Sequence, residues 1–229
     1  MKTIGLIGGM SWESSLEYYR IVNQQVSEKL GGLHSAKCIL YSVDFAEIEE
    51  YQRNGDWDKS ATILANVAGD LEKAGADMIV LATNTMHKVA ADIEAAITVP
   101  FIHIGDATAK AITEQNIHKV GLLGTKYTME EDFYHERLQQ HQIDVLTPGK
   151  EEREELNRII FEELCVGKIL DESREKVKSM IEHLKQEGAE GIVLGCTEVP
   201  LLIKQKDSSL PVFSTMDIHV TKAVEEALE

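Results

Sequence analysis

Two stretches of the chain end an apolar run in groups able to take or give a proton. Gly191-Ile-Val-Leu-Gly195 is followed at once by Cys196, Thr197 and Glu198, and Met78-Ile-Val-Leu-Ala82 by Thr83, Asn84 and Thr85. A thiol where a strand hands over to a helix can be held as the thiolate by the helix dipole. Alone it is as easily a packed thiol, but the polar Thr197 and Glu198 beside it belong to the edge of a site. The run Thr83-Asn84-Thr85 supplies backbone N–H groups, an amide and two hydroxyls, a cradle for a carboxylate that also suits an N-cap. His87 lies on the same helical face as Thr83 and by itself reads as a structural histidine.

A third candidate is Gly8-Gly9-Met10-Ser11, where glycines between a strand and a helix let a ligand approach backbone donors. Its spacing, G-x-x-G-G, is not a dinucleotide fingerprint. Gly124-Thr125-Lys126-Tyr127-Thr128 is its counterpart further on and offers a place for a second anionic group. There is no P-loop and no H-E-x-x-H, and Cys38, Cys165 and Cys196 are too scattered for a zinc site. No metal is expected. The odd, widely spaced cysteines fit a reduced, cytoplasmic setting, and Cys38 and Cys165 read as small buried hydrophobes.

Such groups need strands to carry them. Residues 3–9, 38–43, 78–82 and 99–104 read as strands, with helices over 11–30, 46–52, 59–73 and 86–96 and another beginning at Asp106. The pattern then restarts. Ile4-Gly-Leu-Ile-Gly8 resembles Val120-Gly-Leu-Leu-Gly124, and Pro100 to Asp106 parallels Pro211 to Asp217. Residues 71–85 align without gaps on 184–198, six of fifteen being identical, and this register sets Thr83 opposite Cys196. Matches in one order at offsets of 111 to 116 residues indicate an internal duplication. The expected fold is therefore α/β, with two similar domains of parallel sheets flanked by helices and related by a pseudo-dyad. The expected boundaries are 1–108 plus 211–229 for the first domain and 109–210 for the second, with a strand exchange returning the tail to the first. Ligands of such sheets bind beyond the carboxyl ends of the strands, here in an interdomain cleft.

Composition narrows the function. With 39 acidic against 23 basic residues and a net charge of −16, the chain suits neither nucleic acid nor an anionic membrane surface. An anionic substrate must be drawn in by local donors. No secretory leader and no apolar run of membrane-spanning length are seen.

Taken together, Gly8-Gly9-Met10, Thr85 with His87, Gly124-Thr125-x-x-Thr128, Gly195-Cys196-Thr197-Glu198 and Asp217-x-His219 resemble the cofactor-independent aspartate/glutamate racemase family over nearly the whole chain. The resemblance implies two α/β domains, a homodimer, and racemisation of a small acidic amino acid without pyridoxal phosphate or any other cofactor. It also implies one acid/base residue from each domain, normally two cysteines. Cys196 matches the second, and Thr83 stands where the family more often has the first. A threonine hydroxyl is a far weaker acid than a thiol, so it makes a poor base and a passable donor. Cys196 would then abstract the α-proton of the L-form and Thr83 deliver its replacement. By the same resemblance Asn84, Thr85 and Thr197 hold the α-carboxylate, Met10 closes one side, and Gln52 and Lys168 reach the side-chain carboxylate. Thr125, Thr128 and Glu198 complete the expected substrate contacts. The alternatives are a related isomerase or decarboxylase, of maleate, hydantoin or arylmalonate type, and a non-catalytic binder of acidic ligands. A cysteine hydrolase is disfavoured, since no histidine falls beside Cys196.

Overall fold

Both apolar runs become buried inner strands of separate parallel sheets. The computed structural model describes residues 1–229. They divide into two units, Met1–Ile104 with His219–Glu229, and Gly105–Ile218. The first unit contains β1 (Ile4–Gly8), α1 (Trp12–Leu30), β2 (Cys38–Ser42), α2 (Phe45–Asn54), α3 (Trp57–Lys73) and β3 (Met78–Leu81). A 3-10 turn (Thr85–Val89), α4 (Ala90–Ala95) and β4 (Phe101–Ile102) follow, and α5 (Ile104–Thr113) leads into the second unit. There the chain forms β5 (Lys119–Gly124), α6 (Lys126–Glu130), α7 (Asp132–Gln139), β6 (Asp144–Leu146) and α8 (Lys150–Glu162). Next come α9 (Asp171–Gln186), β7 (Gly191–Gly195), α10 (Val199–Leu202) and β8 (Val212–Ser214). Finally α11 (Thr215–Leu228) carries the chain back to the first unit. No helix is long and apolar enough to cross a membrane.

The two sheets have one topology, β2-β1-β3-β4 and β6-β5-β7-β8, all parallel. β1, β3 and β7 are buried at every residue, as continuous apolar runs between helical layers must be. The ladders reproduce the internal alignment: Ile4 pairs with Met78 in the first sheet, and Val120 with Gly191 in the second. Even the flanking bonds repeat. Ile79 N–H donates to the Pro100 carbonyl and Ile192 N–H to the Pro211 carbonyl, both at 2.8 Å.

Helix boundaries follow local chemistry. Ser11 caps α1 by accepting the Ser14 N–H at 3.3 Å, and Asp44 caps α2 by accepting the Ala46 N–H at 3.1 Å. Gly55 ends α2 in the left-handed conformation. On its inner face α3 buries Leu64, Val67, Ala68 and Leu71 against Ile7, Ile79 and Leu81. In the second unit α8 and α9 bury Leu156, Ile159, Ile160, Val177, Ile181 and Leu184 against Leu123, Ile192 and Leu194.

Several expectations are corrected. The tail does not exchange a strand: β8 stays with β7 in the second sheet, and helices cross instead. α11 from His219 onward packs in the first unit, where Tyr18 O–H reaches His219 and Lys2 N–H donates to the Ala227 carbonyl at 2.8 Å. In exchange α5 serves the second unit, where the Arg137 guanidinium holds Asp106 through two 2.6 Å bonds. The boundaries accordingly fall at 104/105 and 218/219. The strand expected over 99–104 shrinks to two residues, because α5 already starts at Ile104. Cys38 and Cys165 are half-buried, the first on the edge strand β2 and the second on a turn after α8.

Candidate active site

The first unit gathers its candidate residues at the carboxyl ends of β1 and β3. Thr83, Asn84 and Thr85 are all buried, and the last begins the 3-10 turn that replaces the expected start of a helix. No side chain caps that turn. Thr83 N–H donates to the Leu81 carbonyl at 2.9 Å, and His87 N–H donates to the Asn84 carbonyl at 3.0 Å. Met10 is buried in the core cluster that includes Ile48, Leu81 and Met86. Gln52, half-buried on α2, points its amide at the Met86 sulfur at 2.8 Å. Gln52 is thereby tied to the turn that follows Thr83, and Met10 shares its core cluster with Met86.

The glycines beside them serve the chain itself. Gly9 sits at φ +97°, and a Cβ there would lie 2.2 Å from the Val43 carbonyl oxygen. Its N–H is already taken by the Ser15 hydroxyl at 2.7 Å. The expected backbone donor to a ligand is thus an internal bond.

In the second unit Cys196 follows β7 and is buried. Its thiol donates to Glu198 Oε2 at 3.1 Å, and the Thr197 hydroxyl donates to the same oxygen at 2.7 Å. Burial and then the Glu198 charge push the Cys196 thiol well above its ordinary range, against the opposing pull of the Glu198 backbone N–H. The helix whose dipole could favour a thiolate is short, α10 having only four residues, and a carboxylate sits beside the sulfur. Glu198, among the expected substrate contacts, thus accepts from both residues that precede it.

Thr128, on α6 just beyond β5, is fully buried and lies close to Gly195. Thr125 caps α6 by accepting the Thr128 N–H at 3.4 Å, while the Lys126 N–H goes to Asn157 Oδ1 at 2.9 Å. The threonine pair thus shapes the β5 exit next to Cys196. Lys168 is exposed on the turn after α8, its N–H held by the Glu163 carbonyl at 2.8 Å. The buried Glu163 is itself fixed by Arg158 at 2.9 Å and the Ser173 hydroxyl at 2.6 Å. Cys165, on the same turn, packs against the core cluster that contains Cys196.

His87 is the structural histidine that its sequence setting suggests. His87 Nδ1 bonds the Thr83 carbonyl at 2.8 Å, and the Ile104 N–H donates to His87 Nε2 at 3.1 Å. Behind it, His219 Nε2 donates to the Ile102 carbonyl at 2.6 Å and its Nδ1 accepts from Tyr18 O–H at 3.0 Å. Burial pushes both rings down, His219 to about 4, and neighbouring histidines lower His87 further. The sequence signals were His87 four residues beyond Thr83 and the Asp217-x-His219 pair.

Comparison with known proteins shows the family. The family model for Asp/Glu/hydantoin racemase matches residues 7–223. The chain belongs to that family. Across the whole of both chains it is 56% identical to a Yersinia pestis protein proposed to be an Asp/Glu racemase, with a TM-score of 0.95. An aspartate racemase homologue from Pyrococcus horikoshii is 43% identical, again over both full chains, with a TM-score of 0.89. A broad-specificity amino-acid racemase of Bacillus subtilis is 24% identical over 70% of this chain and 69% of its own. The protein is thus an isomerase of the racemase type, on the two-sheet scaffold that this family uses.

Proposed function

We propose that the protein racemises aspartate, glutamate or both by two-base transfer of the α-proton, one group coming from each unit. The observation that carries this reading is the Cys196 thiol, buried at a strand end with its proton directed onto the Glu198 carboxylate 3.1 Å away. Once the thiol has released that proton to solvent, its sulfur is able to accept the α-proton of the L-substrate. The C–H electron pair moves into an enolate-like system, and Thr83 O–H returns a proton to the other face. Cys196 now carries the α-proton and solvent restores the Thr83 hydroxyl, replacing the proton released at the start, so protons balance over a turnover. Asn84, Thr85 and Thr197 supply donors for the α-carboxylate, which lower the barrier most where charge develops. Gln52 and the exposed Lys168 are the partners for the side-chain carboxylate, and Met10 bounds the pocket. The aspartate and Asp/Glu names of the two similar structures support an acidic substrate.

Enantiomers have equal free energy, so kcat/KM must be equal in the two directions. What Thr83 introduces is a difference in kcat and KM separately, with L-to-D turnover starting from the correctly poised pair.

One observation favours a second reading. Two protonated groups, a thiol and a hydroxyl, also suit an enzyme that only delivers a proton to an enolate formed by loss of carbon dioxide. Incubation with L- and D-aspartate and glutamate in deuterated water, followed by proton NMR, separates the two. Loss of the α-proton signal with formation of the opposite enantiomer is expected. Inert amino acids together with decarboxylation of a substituted malonate would replace this reading with the second.

A further inference from the structure

The exit of β3 is tied down by a side chain that the proton transfer does not use. In an α-helix starting at this point, the Thr83 carbonyl would receive the N–H of residue 87. Here the 3-10 turn sends the His87 N–H to the Asn84 carbonyl instead, at 3.0 Å. The imidazole supplies the missing donor, with Nδ1 on the Thr83 carbonyl at 2.8 Å. A carbonyl can only accept and an amide N–H can only donate. The Thr83 and Ile104 bonds together therefore fix one neutral tautomer, with its proton on Nδ1.

The ring has little room to move. It is buried, with His103 edge-on at 4.6 Å, Phe101 at 5.6 Å and His219 at 5.7 Å between centroids. His219 is held in turn by Ile102 and Tyr18. Thr83 is consequently pinned through its own N–H and its carbonyl, and the next carbonyl along is pinned as well. Fixing both peptides that flank a residue fixes its φ and ψ, and with them the direction of its Cα–Cβ bond.

We propose that His87 is a positioning residue for proton return: by clamping the Thr83 carbonyl to the Ile104 amide it sets the direction of the Thr83 hydroxyl. This rests on the reading of Thr83 as the proton donor. Proton transfer is steep in distance and angle, so a loosened donor slows its own step while leaving abstraction by Cys196 in place.

Two variants divide the clamp. In His87→Asn the side-chain amide reaches the place of Nδ1 and keeps the Thr83 bond. In His87→Gln it reaches the place of Nε2, keeping the Ile104 bond and losing that to Thr83. The readout is the ratio of D-product to α-deuterated L-substrate formed from L-aspartate and L-glutamate in deuterated water. Both species arise from the same active molecules, so the ratio does not depend on the fraction folded. We expect the ratio to fall about tenfold in His87→Gln and to stay within about threefold of wild type in His87→Asn. An equal fall in both variants, a fall in His87→Asn alone, or no change in either, including no deuterium in the L-form, overturns the positioning role. A wild-type protein that neither exchanges nor racemises these amino acids overturns the racemase reading and this inference with it. An active wild type with an unmoved ratio overturns the inference alone.

Discussion

The exits of β3 and β7 begin from one scaffold and end in opposite hydrogen-bonding schemes. Their entrances are nearly superposable: Gly75 and Gly188 both have φ +98°, and Asp77 and Glu190 N–H donate to the Thr3 and Lys119 carbonyls at 2.8 Å. At the exits the first unit binds backbone to backbone through a neutral imidazole, His87 between Thr83 and Ile104. The second anchors its exit with the Thr215 hydroxyl on the Leu194 carbonyl at 2.9 Å and places a carboxylate on the cysteine. Buried histidines, His87, His103 and His219, occur only in the first unit, and the buried carboxylates Glu163 and Glu198 only in the second. Duplication thus kept the ladder and its entry turns while the exits diverged, one tied by a neutral imidazole and the other by a hydroxyl and a carboxylate.

The largest test of that division is removal of either group. Cys196→Ala should reduce α-proton exchange from the L-substrate by at least about a thousandfold, whereas Thr83→Ala should spare exchange and lose D-product formation. NMR in deuterated water reads both, and persistent exchange in Cys196→Ala would remove the base from the second unit.

Acid should strike the first unit. His219 is depressed from 6.5 to about 4, so its contribution is present above about pH 6.5 and is lost as pH falls through 4. Over that interval the protein should lose about 3 kcal/mol through this ring, with His87 adding in the same direction. Urea midpoints between pH 7 and 4 should show a shallower fall for His219→Gln, and parallel curves would contradict the assignment.

Making the two exits alike is the next step down. Thr83→Cys should raise D-to-L kcat about tenfold, because a thiol is the better base; an unchanged or lower value argues against Thr83 as an acid/base group. The smallest effect concerns pH. Since Glu198 raises the thiol, L-to-D kcat/KM should climb with pH above the ordinary thiol range. Glu198→Gln should move that limb down by about one unit, and a limb that stays put would separate Glu198 from Cys196.

Much of this was legible in the chain. The gapless match of 71–85 to 184–198 carries the β3 and β7 register, since ladder position is set by the same buried apolar run. The helix exchange was not legible: the apolar faces of α5 and α11 do not say which sheet they cover. Nor was the state of Cys196, because burial and the turn of the Glu198 side chain are properties of the folded loop. His87 was visible, but its Ile104 partner lies seventeen residues away and donates through its backbone, which leaves no trace in residue type.

The returning helix has a consequence for how the chain is made. Gly105–Ile218 is one uninterrupted segment, whereas the first unit is closed only by His219–Glu229. During synthesis the earlier half therefore waits, with the places of His219, Thr221 and Ala227 unfilled beside Tyr18, Gln25 and Lys2, while the later half emerges and folds as a unit. The part that is translated first is the part that is finished last.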